Sequence, residues 1–370
     1  MNARERFIRT MHFQKPDRLP LHEWLGFWDE TINRWHGEGL PTWVNSGNIR
    51  DYFGLEKWER APGDLWGAIP GFAKRIVQED DRCSVEVSEA GSLKTVVKTL
   101  KTGVSMPQFI EFPVKNREDY EEMKRRFDSK DLRRYPNVWS DGTYPEDVIR
   151  YYETSDHPIG VGLNGFFAAA REWMGLERLL ITFYKDPELI HDMFRFLADF
   201  KIEVVRNAVE NLRVDYATFW EDMAYKTGPH ISPRLFREFM LPYYKKVTAF
   251  LRKQGIDVIL VDSDGDVNLL VPLFLEAGVN CMFPLEVQAN VDALALRKKY
   301  GRQLLLIGNI DKRVLHLGKE AIEKELELKF PPLIKEGGFI PSVDHAVPSD
   351  VPYENYVFYL SLLKKYAEEV

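Results

Sequence analysis

SPRLFREFMLPYYKKVTAFLRKQGIDVILVDSDGDVN, residues 232–268, contains one complete structural unit of this chain. A helical stretch of more than ten residues runs to Gly255, the residue type a helix C-cap requires. The apolar run IDVILVD follows as a strand, and Asp262, Asp264 and Asp266 stand where that strand gives way to the next helix. The same rhythm repeats from about residue 158, with further apolar runs at PIGVGLN, VDYATFW, VNCMFPL, QLLLIGN and GFIPSV. Helices such as VDALALRKKYG lie between them, and Gly278 and Gly301 again close helices just before strands. Alternation of this kind implies parallel strands joined by crossover helices. No Gly-rich phosphate loop follows any strand, which disfavours an open doubly wound sheet. With a further apolar run at Leu19–Trp24 the strands nearly fill a (β/α)8 TIM-type barrel, expected as one domain over residues 1–370.

The first third departs from that rhythm. A charged amphipathic helix is predicted over residues 2–13, then the strand at 19–24, the aromatic-rich EWLGFWDETINRWHGEGLP, and a helix at NIRDYFGL. Residues 73–112 change to short alternating runs separated by turn signals, the pattern of an antiparallel meander. It reads as an insertion between the first and second barrel strands. The charged segment 115–157 is expected to be a helix-rich connector, with Pro136 and Pro145 as breakers.

Composition narrows the functions. The chain has 370 residues, 45% hydrophobic, enough for a large core, and a net charge of -7. An acidic balance opposes nucleic-acid binding, which needs a basic face to replace counterions. No apolar run reaches the ~20 residues of a membrane span. The N-terminus lacks the apolar centre of a signal peptide. Cys83 and Cys281 lie far apart, which fits reduced thiols, no thiolate metal site and a cytoplasmic location.

Four acidic segments follow predicted strands: FWEDMAYKTGP, VILVDSDGDVN, CMFPLEVQA and GFIPSVDHAVP. In a β/α barrel the loops after the strands share one mouth, where catalytic groups lie. Carboxylates gathered there repel one another and need a cation, a shared proton or a basic substrate. This pattern reads as an enzyme. Strand alternation places one of Glu221 and Asp222 inward, and Glu221 is the expected site residue. Asp266 reads as a helix cap, whereas Asp262 and Asp264 lie at the strand end itself. DSDGD is not an EF-hand loop, because Val267 replaces its Gly and Leu273 its bidentate Glu. Asp344 beside His345 suits proton transfer, since the acid raises the imidazole pKa. Glu286 reads equally as a helix-terminal charge or a positioning group. Asn309 is a candidate substrate contact, and Asp311 with Lys312 a salt-bridged turn. His22, Glu23 and Trp24 end the first strand. The spacing of Trp24, Trp28 and Trp35 fits a buried stripe, with an aromatic wall for a flat or methylated substrate as the competing role. Asn164 and Phe167 stand at another strand end, with Arg171 as a single anion anchor.

ERFIRTMHFQKPDRLPLHEW, GPHISPRLFREFMLPYYKKV, LLLIGNIDKRVL and DHAVPSDVPYENY resemble segments of the uroporphyrinogen decarboxylase superfamily, which also holds methyltransferases working with corrinoids. The resemblance covers nearly the whole chain and implies the barrel fold and a homodimer. The decarboxylase itself carries an arginine-rich motif after the first strand. Here LHEWLGFWDET contains no arginine, which argues against a substrate with eight carboxylates. The superfamily's zinc methyltransferases carry a His-x-Cys pair after one strand and a Cys after the last. By resemblance these fall on Asp262 and Asp264, and on Asp344 with His345. Carboxylate oxygens suit Mg²⁺ or Mn²⁺, and a carboxylate–histidine zinc site is also open. No cluster of Lys or Arg is evident to neutralise the acids, so a divalent metal on these four residues is expected, with one protonated acid as the alternative. The implied reaction is demethylation of a small methylated or methoxylated substrate, with the methyl passed to a corrinoid on a partner protein. A decarboxylase or lyase acting on a small carboxylic acid, and a non-catalytic barrel subunit, are the alternatives.

Overall fold

The computed structural model describes residues 1–63, 67–97 and 107–370. Its parallel sheet contains β1 (Glu59–Arg60), β6 (Ile159–Asn164), β7 (Tyr216–Trp220), β10 (Val258–Asp262), β11 (Cys281–Phe283), β12 (Leu305–Ile310) and β13 (Phe339–Val343), paired in that order. The six strands expected after residue 158 are all present. Between β1 and β6 in the chain, β2 (Arg75–Glu79), β3 (Cys83–Val87), β4 (Leu93–Val97) and β5 (Gln108–Glu111) form a separate antiparallel sheet. Part of the expected meander, residues 98–106, lies outside the described residues. A small hairpin, β8 (Ala224–Tyr225) with β9 (Gly228–Pro229), follows β7.

The sheet is curled and TIM-like, and its hydrogen-bonded ladder does not close among the described residues. The expected strand at Leu19–Trp24 is the reason. Pro20 lacks a donor in the middle of that run. The segment bridges the two sheet edges by other means: Leu21 O accepts from Glu56 N at 2.6 Å, and the Glu23 carboxyl takes the Val343 amide at 2.9 Å. A side chain thus occupies the donor on β13 that a neighbouring strand would have used. Beyond it, Phe27 makes a single parallel bridge to Val347.

Strand alternation separates two cores. Tyr216, Val258, Leu260, Cys281, Phe283, Leu305, Ile307 and Ile340 point inward and pack with Phe7 and Met11 of the N-terminal helix Ala3–Met11. That helix starts on a capping box between Asn2 and Glu5 and plugs the strands' N-terminal end. The intervening residues, such as Ala217, Phe219, Ile259 and Val261, face the surrounding helices. The parity also fixes the site, because the inward row Val258, Leu260 continues to Asp262. The three tryptophans do not form the expected stripe. Trp35 is buried outside the sheet and donates to Val351 O at 2.8 Å, Trp24 packs on Trp58, Tyr216 and Phe283 inside it, and Trp28 faces His345.

Candidate active site

The loops after β7, β10 and β13 bring Asp222, Asp262, Asp264 and His345 together. Asp264 N donates to Asp222 Oδ1 at 3.2 Å, and His345 Nε2 lies 3.5 Å from Asp264 Oδ2. Asp262 is buried, and among the described residues no hydrogen-bond donor reaches its carboxyl. Burial, and then the charges of Asp222 and Asp264, push its pKa well above the ordinary carboxylate range, with Arg60 opposing them. Asp222 is raised by burial and by Asp264. Burial works against a charge on His345, but Asp264 outweighs it and the imidazole pKa rises. Trp28 lies over the imidazole, with ring centroids 6.0 Å apart.

Other acids at this rim are spent on structure. Glu221 is fully buried and accepts from Phe166 N at 2.7 Å, Ala168 N at 3.0 Å and Tyr244 Oη at 2.5 Å. It caps the helix Phe166–Met174 from outside the sheet, and a Cβ at Gly165 would fall 2.2 Å from its carboxyl carbon. Asp222, not Glu221, therefore carries the charge into the mouth. The inward row Tyr216, Thr218, Trp220 would have assigned it from the sequence. Asp344 is likewise turned away, accepting from Val287 N at 2.9 Å and Lys312 N at 3.0 Å, and burial lifts its pKa to about 6. Glu286 accepts from Gly265 N at 2.9 Å and pairs with Lys312 at 2.8 Å. Burial would raise its pKa, but Lys312 turns the shift downward. Asp311 pairs with Arg313 at 2.7 Å rather than with Lys312.

The four expected metal ligands do not converge as they stand. Among the described residues no three His, Cys, Asp or Glu side chains are placed to hold one ion, and the Asp344 oxygens are committed to two backbone amides. Where no cluster of Lys or Arg was expected to neutralise the acids, two single arginines approach them. Arg171 Nη2 stands 4.0 Å from Asp222 Oδ2, and the charge of Arg60 reaches Asp262.

The expected substrate contacts separate. Asn309 is fully buried and consumed: its Oδ1 accepts from Ala293 N at 3.0 Å, and its Nδ2 donates to Leu285 O and Val291 O at 2.8 Å each. Phe167 is buried and stacks on His230. Glu23 collects Ser342 Oγ, Val343 N and Tyr359 Oη, and burial lifts its pKa to about 7. His22 stacks on Trp58 at 4.2 Å, and burial drives its pKa down to about 3, so it is neutral. Asn164 donates to Glu172 at 3.2 Å while its buried Oδ1 has no partner. Glu172, which the sequence reading passed over, borders two cavities beside the antiparallel sheet.

A parallel sheet with inward acids at the C-terminal ends of its strands defines the class of TIM-like α/β enzymes. The profile described as Uroporphyrinogen decarboxylase (URO-D) matches residues 88–366, and the chain belongs to that family. It is 26% identical to uroporphyrinogen decarboxylase of Psychromonas ingrahamii over 175 residues, 46% of each chain. With that of Legionella pneumophila it shares 26% over 182 residues, 48% of this chain and 49% of the relative. The match thus spans about half the length of these curated relatives. In structure it is similar to a methyltransferase from Methanosarcina mazei, with a TM-score of 0.61 at 15% identity, covering 99% of this chain and 98% of that one. This likeness is one of fold. No helix among the described residues is long and apolar enough to cross a membrane.

Proposed function

We propose that this chain removes a methyl group from a small methylated or methoxylated compound and delivers it to a corrinoid held by a partner protein. The observation that carries the reading is Asp262: a buried carboxyl at the end of β10, flanked by Asp222 and Asp264 and without a hydrogen-bond donor among the described residues. Burial and two neighbouring carboxylates favour the protonated form of such a group, which can give its proton to a heteroatom that is losing its methyl. Asp264 and His345 form a second proton-carrying pair beside it. A corrinoid would supply the methyl-accepting metal centre, while this chain's own residues bind the substrate, orient it and protonate the leaving atom.

The second reading is decarboxylation of a small carboxylic acid, favoured by the name the curated relatives carry. The same proton on Asp262 would then go to carbon. One incubation separates the two: protein, a corrinoid acceptor protein, and a panel of methoxyaromatics, methylamines and small carboxylic acids. Methyl-corrinoid formation that is lost in Asp262→Asn is expected. Carbon dioxide release without methyl transfer would replace the proposal with the lyase.

A further inference from the structure

We infer that the cavity between the antiparallel sheet and the rim of the parallel sheet is the pocket for the substrate's body, and that this body is a planar aromatic ring with its methylated heteroatom at the Asp222 end. The inference deepens the proposed demethylation and rests on it for the chemistry, though not for the binding. The cavity measures about 610 Å³, within the range of small-molecule sites. Phe109, Phe112, Leu176 and Trp220 make its apolar walls, Arg171 and Asp222 stand at one polar end, and Lys94, Glu172 and two serines add further polar groups. Its walls come from both sheets, since Phe109 is on β5 and Trp220 ends β7.

Several features shape it for a ring. Phe109 and Phe112 stack with centroids 5.5 Å apart, 23° from parallel. Arg171 lies 5.4 Å above the Trp220 ring and donates to Asp222 O, so both sides of the polar end are fixed before a ligand arrives. Gly175 has φ +76°, and a Cβ there would fall 2.5 Å from the Phe112 ring. Only glycine lets that ring lean over the start of the helix Leu176–Lys185. Aromatic walls favour an aromatic guest in offset or edge-on contact. A methylated aliphatic amine would leave most of this apolar surface unfilled. Asp222 joins the pocket to the reacting acids, because Asp264 N holds its Oδ1. A ring seated against Trp220 therefore presents a substituent to the acids of the mouth.

The test is calorimetric binding of 4-methoxyphenol and of trimethylamine to wild type, Leu176→Trp and Phe112→Ala, with Leu176→Met as a control that keeps fold and volume. The first substitution fills the cavity and the second removes a wall. The expected result is binding of 4-methoxyphenol that weakens about tenfold or more in both variants, with trimethylamine unchanged. No binding of 4-methoxyphenol to wild type, or equal affinity in every variant, overturns the pocket. The methyl-transfer assay reports separately. The expected binding pattern without methyl transfer from any compound leaves the pocket standing and removes the reaction. Transfer from trimethylamine with ring binding indifferent to Leu176 and Phe112 does the reverse.

Discussion

Two groups of carboxylates share the rim of the sheet, and they differ in what reaches their oxygens. Glu221 collects two backbone amides and a hydroxyl, Glu286 one backbone amide and a lysine, and Asp344 two backbone amides, so they fasten one loop to the next. Asp222, Asp262 and Asp264 face one another with less to hold them, and burial with mutual repulsion raises the pKa of the first two, that of Asp262 well above the ordinary carboxylate range. Chemically identical side chains a few residues apart thus become fasteners or proton carriers. Burial raises the pKa of Glu221 and Asp344 as well, so the difference teaches that commitment of the oxygens to fixed donors, not residue type or position at a strand end, decides which acids are free to do chemistry.

The comparison can be broken first at Asp262. Asp262→Asn should lower turnover about a thousandfold, the scale of a lost general acid, while stability stays within about 1 kcal/mol because no hydrogen bond is cut. Steady-state kinetics beside urea unfolding check both halves. Glu221→Ala should do the opposite. It leaves two helix amides and the Tyr244 hydroxyl unpaired in a buried place, for a loss of about 4 kcal/mol in the same unfolding experiment. A mild loss of stability there would show that these bonds are replaceable.

The third prediction concerns pH. Burial holds Glu23 at about 7 and Asp344 at about 6, both above their unfolded values. Groups shifted upward stabilise the fold fully below the unfolded pKa, and that contribution is lost as pH rises through the folded pKa. Unfolding free energy should therefore fall as pH rises from about 4 to about 7, by about 3 kcal/mol for each group, the Asp344 share being lost by about pH 6. Glu23→Gln should remove its share of the slope, and an unchanged slope would contradict the assignment. The smallest effect is expected at Asp264→Asn. Without that carboxylate His345 should titrate at lower pH, read from its imidazole proton signals by NMR. An unmoved titration would mean the two do not interact in solution.

Much of this was legible in the sequence. Strands after residue 158 announce themselves as apolar runs ended by capping glycines, and the meander by its turn signals. Leu19–Trp24 misled because its composition is that of a strand, while Pro20 and the Glu23 carboxyl make it a bridge between sheet edges. The sequence places Asp262, Asp264 and His345 at strand ends, and the structure puts them at the same rim. Asp222 was missed only through the phase of alternation, which Tyr216, Thr218 and Trp220 set once one inward residue is known. The commitment of Asp344 and Asn309 to backbone groups could not be read, because their partners lie 32 and 57 residues away for Asp344 and up to 24 for Asn309. Arg60, and the pairing of Arg171 with Asp222, could not be read for a similar reason: these arginines and their acidic neighbours are distant in the chain.

The protonation state of Asp262 bears most directly on the account. An infrared difference spectrum between wild type and Asp262→Asn at neutral pH reads it without reference to any substrate. The account predicts a protonated carboxyl C=O band in the wild type that the variant lacks. Loss of carboxylate bands in the variant instead, with no loss of protonated carboxyl, would show Asp262 ionised and contradict its role as the proton donor.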